Sequence, residues 1–351
     1  MGGFLYDLFY NTDRLLNGWS TAAHQSWAAR GWPPVILDGL LQLAWAVAAG
    51  VFLTVNALFI IWFERKVAAR IQIRRGPNRV GPWGLLQTLA DTGKMLIKED
   101  IVPDAADRAV FRAAPLLVLV STFMLFVVLP FGKGLVPADL NVGLVYFLAI
   151  GGLSVIGILA GGWASNNKYS LMGGMRSAAQ IVSYEVPAVL TVLSVALLAG
   201  SLKLGDIVRA QPAYGYVLLQ PIGFLLFLTA SNAEINRGPF DLPEADSELV
   251  SGFLTEYSGM RFAFFLLAEY TNLFLSGAFA ATLFLGGWRG PLLPPVAWFL
   301  LKSYFVVFLL IWVRWTFPRL RVDHLMELSW KVLLPLALAN LLVTAVLVKV
   351  L

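Results

Sequence analysis

Three glutamates and one loop are the parts of this sequence that could do chemistry. Glu185, Glu234 and Glu269 each fall inside or at the end of a run of apolar residues, as does Lys302. The stretch NRGPFDLPEADSELVSGFLTEY, residues 236–257, adds five carboxylates: Asp241, Glu244, Asp246, Glu248 and Glu256. A charge in an apolar run is costly, so each such residue needs a partner, water or a proton. A single buried glutamate could stay neutral and hydrogen-bond between helices. Three glutamates and a lysine in one chain point instead to passage of protons or ions. Burial raises a carboxyl pKa, and a like charge nearby raises it further. Such groups can exchange protons near neutral pH as a coupled set.

The acidic stretch has an ordinary explanation for part of its charge. Gly238-Pro239 stops one helix, and Asp241 is placed to cap the next, with Pro243 near its first turn. Acid in a first turn also suits the helix dipole. On such a helix Asp241, Glu244 and Glu248 stand at i, i+3 and i+7 and share a face. Glu244 and Glu248 then repel each other at i, i+4. A structural loop has no use for that repulsion. A proton-exchanging site, or a surface meeting basic residues of a partner, does.

The elements that must position these groups are apolar helices. The chain has 351 residues, 58% of them hydrophobic and only 13% charged, where a soluble domain carries about 25% charged residues. Eight apolar runs predict membrane spans, at roughly 40–63, 114–131, 144–163, 184–199, 216–235, 262–285, 296–313 and 332–350. Each approaches the length of about twenty residues that crosses a bilayer, and the fourth is the shortest. The fold class is therefore an all-α integral membrane protein with about eight transmembrane helices, amphipathic interfacial helices and ordered loops. Residues 40–351 form a single membrane domain, with a long loop at 64–113 and the acidic loop at 236–261.

Of the 26 lysines and arginines, eighteen lie in the loops after spans one, three, five and seven. That bias puts those loops in the cytoplasm and both termini outside. It also accounts for the net charge of +5 without a nucleic-acid partner. Residues 1–39 lack the pattern of a cleaved signal. Phe4, Leu5, Leu8, Phe9, Leu15 and Leu16 predict a short interfacial helix there.

The chain contains no cysteine and two histidines, His24 and His324, both outside the spans. Thiolate-held iron–sulfur clusters, disulfides and a bis-histidine haem are thereby excluded. Electrons for any redox reaction come from a partner. In the first long loop, ERKVAARIQIRR continues span one and turns basic, and GPNRVGPWG is rich in turn residues. LLQTLADTGKMLIKED then predicts an amphipathic helix, with Leu85, Leu86, Leu89, Leu96 and Ile97 apolar and Asp91, Lys94, Lys98 and Glu99 charged.

AEINRGPFDLPEADSELVSGFLTEYSGM closely resembles the hallmark stretch of one membrane-subunit family of proton-translocating NADH:quinone oxidoreductase, respiratory complex I. Members are called the H subunit in bacteria and subunit 1 in mitochondria. ERKVAARIQIRRGPNRVGPWGLLQTLADTGKMLIKED, GWASNNKYSLMGGMRSAAQIVSYE and TLFLGGW resemble its other hallmarks, so the likeness covers about residues 40–351. It implies a subunit that joins the hydrophilic arm to the membrane arm and forms much of a quinone chamber. It implies no cofactor bound in this chain, quinone as substrate, and flavin and iron–sulfur clusters in partner subunits.

By the same resemblance, Glu185 and Glu234 match buried glutamates linking the chamber to a line of proton-carrying groups. Asp241, Glu244, Asp246 and Glu248 match an acidic loop near the chamber, and Glu256 and Glu269 match further acidic positions. Glu64, Arg65, Arg70, Arg74 and Arg79 match a charged region near the chamber entrance and the arm contact. Arg176 matches a basic residue in the loop before Glu185. The implied location is a bacterial cell membrane, with other subunits of the complex and lipid as neighbours. Asn232, in ASNAE, and the amino-terminal extension depart from the family pattern. The alternatives are the equivalent subunit of a complex with another electron donor, F420H2 or ferredoxin, and a stand-alone ion transporter. The lack of an inverted repeat counts against the transporter.

Overall fold

The computed structural model describes residues 34–350 together with 21, 22, 24, 26 and 27. The interfacial helix expected around Phe4–Leu16 lies outside these residues. Among those described, the chain is helices and loops, with one isolated bridge between Gly132 and Leu135.

The chain enters through α1, Pro34–Ile71, and continues into a short helix α2, Gln87–Ile97. Two long helices follow, α3 at Arg108–Phe126 and α4 at Gly143–Ala164. Helix α5 runs Lys168–Ala199, then come α6 at Leu204–Ala210 and α7 at Pro221–Glu234. The acidic loop holds one short turn of α-helix, α8 at Asp246–Leu249, and a 3-10 turn at Gly252–Leu254. Helices α9, Gly259–Phe284, and α10, Pro295–Thr316, lead to α11 at Val322–Glu327. A π turn, Leu328–Leu333, joins α11 to the last helix, α12, Leu334–Val350.

Seven helical segments among the described residues are long and apolar enough to cross a membrane. The expected fifth span, at 216–235, is helical only over the 14 residues of α7. That is about 21 Å of helix. The expected fourth span, 184–199, is the second half of the 32-residue α5. Lys168, Arg176 and the polar run around them lower the local hydropathy, but Asn167 caps the helix through Tyr169 N–H and Gly200 ends it at φ 66°. Arg176 therefore stands on a helix, not in a loop.

Pro187 sits inside α5 and leaves the carbonyl of Ser183 without its helical donor. Ser329 Oγ, from the π turn, donates to that carbonyl at 2.6 Å. The helix thus keeps its path beside Glu185.

The core centres on α9, whose Phe274, Phe279 and Phe284 are fully buried along with Phe299 of α10. Gly277 lets the two backbones approach, since a Cβ there would stand 2.8 Å from the Ser303 carbonyl. Helix α1 is different. Leu43, Val47, Val51 and Val55, four residues apart, are more than half exposed. Such a stripe suits lipid or another membrane protein chain. On α2, Leu89, Leu96 and Ile97 are exposed, while Asp91 pairs with Arg65 of α1 at 2.5 Å. The amphipathic helix expected at this place is present.

Candidate functional site

Three helices, α1, α9 and α10, converge around one buried guanidinium in the turn after α7. Arg237 follows α7 by three residues, just before the cis Gly238-Pro239 bond, and is 1% exposed. Its Nη1 donates to Glu64 Oε2 of α1 at 2.5 Å. Its Nη2 stands 2.9 Å from Glu269 Oε1 of α9. The guanidinium also lies over the Tyr270 ring, 4.3 Å from the centroid, a favourable cation–π contact. From α10, Arg314 Nη1 donates to the other oxygen of Glu64 at 2.7 Å.

Two arginines thus face two carboxylates, and the formal charges balance. Burying such ions costs several kcal/mol each before their attraction repays it. A cluster of this kind is weak evidence of added stability and good evidence of fixed placement.

The acidic loop borders this cluster. Asp241 pairs with Arg319 at 3.2 Å. Burial pushes the Asp241 carboxyl above its ordinary value, and Arg319 and Arg314 act against the rise. Glu244 is pushed well above the ordinary carboxylate range, first by burial and then by the charges of Glu269 and Asp241. It is the member of this group that favours its proton. Glu248 turns away and pairs with Arg176 of α5 at 2.6 Å, half-exposed.

The face expected to join Asp241, Glu244 and Glu248 does not form. Only residues 246–249 are helical, and the residue before them is Ala245, so Asp241 caps nothing. The loop instead lies against α5. A Cβ on Gly173 would meet Gly252 Cα at 2.6 Å and Phe253 N at 2.7 Å, so only glycine permits this backbone contact. Asp246 opens α8, and its side chain lies outside the described atoms.

Glu185 of α5 and Glu234 at the end of α7 line one cavity of about 80 Å3. Its walls also include Ser121, Thr122, Ser154 and Asn272. A space of this size holds a few waters, which its polar groups could hold between the two carboxyls although much of the wall is apolar.

The remaining expected residues are dispersed. Glu256 accepts from Asn167 Nδ2 at 2.6 Å, at the start of α5, apart from the cluster. Arg65 serves the α1–α2 junction through Asp91. Arg70 is exposed in the last turn of α1, and Arg74 and Arg79 are exposed on the loop that follows it. Lys302 donates to the carbonyls of Gly287 and Arg289 at 3.1 and 2.6 Å and thereby ties a loop to α10. Asn232 donates to Gly238 O at 3.2 Å, a local bond that closes the turn after α7.

Arg237, Arg314, Tyr270 and Gln180 are polar groups that the sequence reading does not single out. Arg237 had a signal, as the one cation placed between Glu234 and the acidic run.

Fold and site together define a multi-span helical membrane protein whose interior holds a paired-charge cluster beside a water-sized carboxylate cavity. Residues 44–345 match the family described as NADH dehydrogenase. Similar chains are the H subunits of NADH-quinone oxidoreductase from several bacteria. That of Carboxydothermus hydrogenoformans is 48% identical over 342 residues, covering 96% of each chain. That of Dehalococcoides mccartyi strain CBDB1 is 54% identical over 294 residues, covering 84% of this chain and 83% of the relative. With that of Anoxybacillus flavithermus the identity is 55% over 313 residues, 87% of this chain and 94% of the relative. The chain belongs to the family of H subunits of NADH-quinone oxidoreductase.

Proposed function

We propose that the chain works in the membrane arm of NADH:quinone oxidoreductase, where it forms much of the quinone chamber and couples quinone reduction to proton translocation. The other subunits of that complex are its partners, and flavin and iron–sulfur clusters on them supply the electrons. The bias of lysine and arginine favours a cytoplasmic acidic loop and extracytoplasmic termini.

One observation carries this reading. Arg237 holds Glu64 and Glu269, and three residues before it in the chain Glu234 shares a cavity with Glu185. Residues 234–248 thus carry in succession Glu234 of the carboxyl pair, Arg237 of the charge-balanced cluster and the carboxylates of the acidic loop. Reducing a quinone takes up two protons for two electrons. Protons leaving the acidic loop or Glu244 change the charge facing Glu269 and Arg237. A changed charge shifts the proton affinity of its neighbours. The loop thus converts reduction into an electrostatic signal at the buried pair.

The test uses the intact complex in sealed membrane vesicles. Glu234→Gln keeps size and polarity but cannot ionise. The expected result is an assembled complex with proton translocation reduced at least tenfold. Unchanged translocation at unchanged quinone turnover would remove the buried pair from the mechanism.

A further inference from the structure

We infer that Gln180 is a positioning residue that hangs both the acidic loop and the buried glutamate pair from one side chain. The inference rests on the coupling function proposed above.

Gln180 lies on α5 and is 1% exposed. Its Nε2 donates to the carbonyls of Ala233 and Phe240, both at 2.8 Å, and to Asn236 Oδ1 at 3.1 Å. One amide thus divides two hydrogens among three acceptors, all within residues 233–240. The positions of those acceptors matter. Ala233 immediately precedes Glu234, and Phe240 immediately precedes Asp241. On α5 itself, Glu185 follows Gln180 by five residues, about 7.5 Å along the axis. Asn236 makes a second tie to the same helix, donating to Ser177 Oγ at 3.0 Å.

Among uncharged side chains, only an amide offers two hydrogens at this reach. A glutamate offers one when protonated and none when ionised, and methionine offers none. The backbone between the two carboxylate groups carries Arg237, whose own partners sit on α1 and α9. A shift of the acidic loop therefore pulls on Phe240, and through Gln180 on the carbonyl beside Glu234. The amide sets the distance from Glu234 to Glu185 as the loop responds to charge.

The experiment compares Gln180→Met, Ser177→Ala and Glu234→Gln in the intact complex. Four quantities are read: complex on a native gel, NADH oxidation by ferricyanide, KM and kcat for a short-chain quinone, and protons moved per quinone reduced. For Gln180→Met we expect parental assembly and ferricyanide rate, a quinone KM within twofold, and a proton ratio lowered at least twofold. Ser177→Ala should lower the ratio in the same direction by less. A merely structural role would lower assembly and all rates together and leave the ratio intact, which would overturn the inference. If Gln180→Met fails to assemble, the ratio in Ser177→Ala decides, and a parental ratio there overturns it. Loss of translocation in Glu234→Gln with parental ratios in the other two variants sinks this inference alone. Normal translocation in Glu234→Gln sinks the underlying reading.

Discussion

Arg237 and Glu64 meet at 2.5 Å across 173 residues of sequence, with side chains only 1% and 5% exposed. In the chain Arg237 stands at the start of the acidic loop, between Glu234 of the buried pair and Asp241, and the pairing brings Glu64 of α1 to that point. It ties the first spanning helix to the turn that ends α7.

Breaking that pair from one side strands a buried charge. Glu64→Gln should cost about 3–5 kcal/mol and lower the melting temperature of the complex, read by activity remaining after graded heating. Adding Arg237→Met should recover part of the loss, because the fully buried guanidinium no longer faces a lost partner, which leaves Glu269 and the partly exposed Arg314 as the unpaired ions. A double variant as unstable as the sum of the singles would show that the two do not act on each other.

Glu244 gives the site a pH signature. Its folded-state pKa is raised above the ordinary 4.5 by burial and by Glu269 and Asp241. The folded chain then binds more protons than the unfolded chain above that value, so stability falls as pH rises toward the raised pKa. Asp241, also raised, adds in the same direction. Glu244→Gln should flatten the fall in thermal stability between acidic and alkaline buffers. An unchanged slope would assign the proton to another group.

Arg176 and Glu248 form a partly exposed pair at 2.6 Å. Pairs of this kind contribute up to about 1 kcal/mol and weaken with salt. Glu248→Gln should leave stability within that margin, yet lower quinone turnover or proton translocation several-fold. Full retention of both would take Glu248 out of the coupling mechanism.

Gly173 tests the seat of the acidic loop. Gly173→Ala places a methyl against the backbone of Gly252 and Phe253, atoms that have no rotamer to yield. The loop must lift. A destabilisation of about 1–3 kcal/mol should accompany loss of quinone turnover, whereas Gly151→Ala, with nothing within 4 Å, should be neutral in both.

The spanning helices were legible because apolar runs long enough to cross a bilayer have few other uses. The acidic loop and the in-span glutamates stood out for the same reason, as charge against an apolar background. The half of α5 before residue 184 was hidden. Lys168, Asn167 and Arg176 read as loop by hydropathy, although Asn167 is a capping residue and Gly173 and Gly174 are contact surfaces. The shared face of Asp241, Glu244 and Glu248 was a false expectation, because Pro239 and Pro243 and the seat at Gly173 bend the loop out of helical register. Arg237 was only faintly marked as a site residue, as the one cation between Glu234 and Asp241. Its spacing resembles that of any loop arginine, and its partner Glu64 is set by the packing of distant helices.

The shortness of α7 has an electrical consequence. At about 21 Å it falls short of the hydrocarbon layer of about 30 Å, so part of the membrane voltage drops beyond its ends. Gln220 donates to Thr344 of α12 near one end, and Gln180 donates to Ala233 at the other. These amides satisfy backbone and side chain where helical turns are missing. A unit charge crossing the whole voltage does about 2.3 kcal/mol of work per 100 mV. On the proposed reading, moving a proton from the acidic loop to Glu234 already requires a fraction of that work. The stunted helix then acts as a section of dielectric cut away, which brings the first proton-holding groups inside the voltage they must work against.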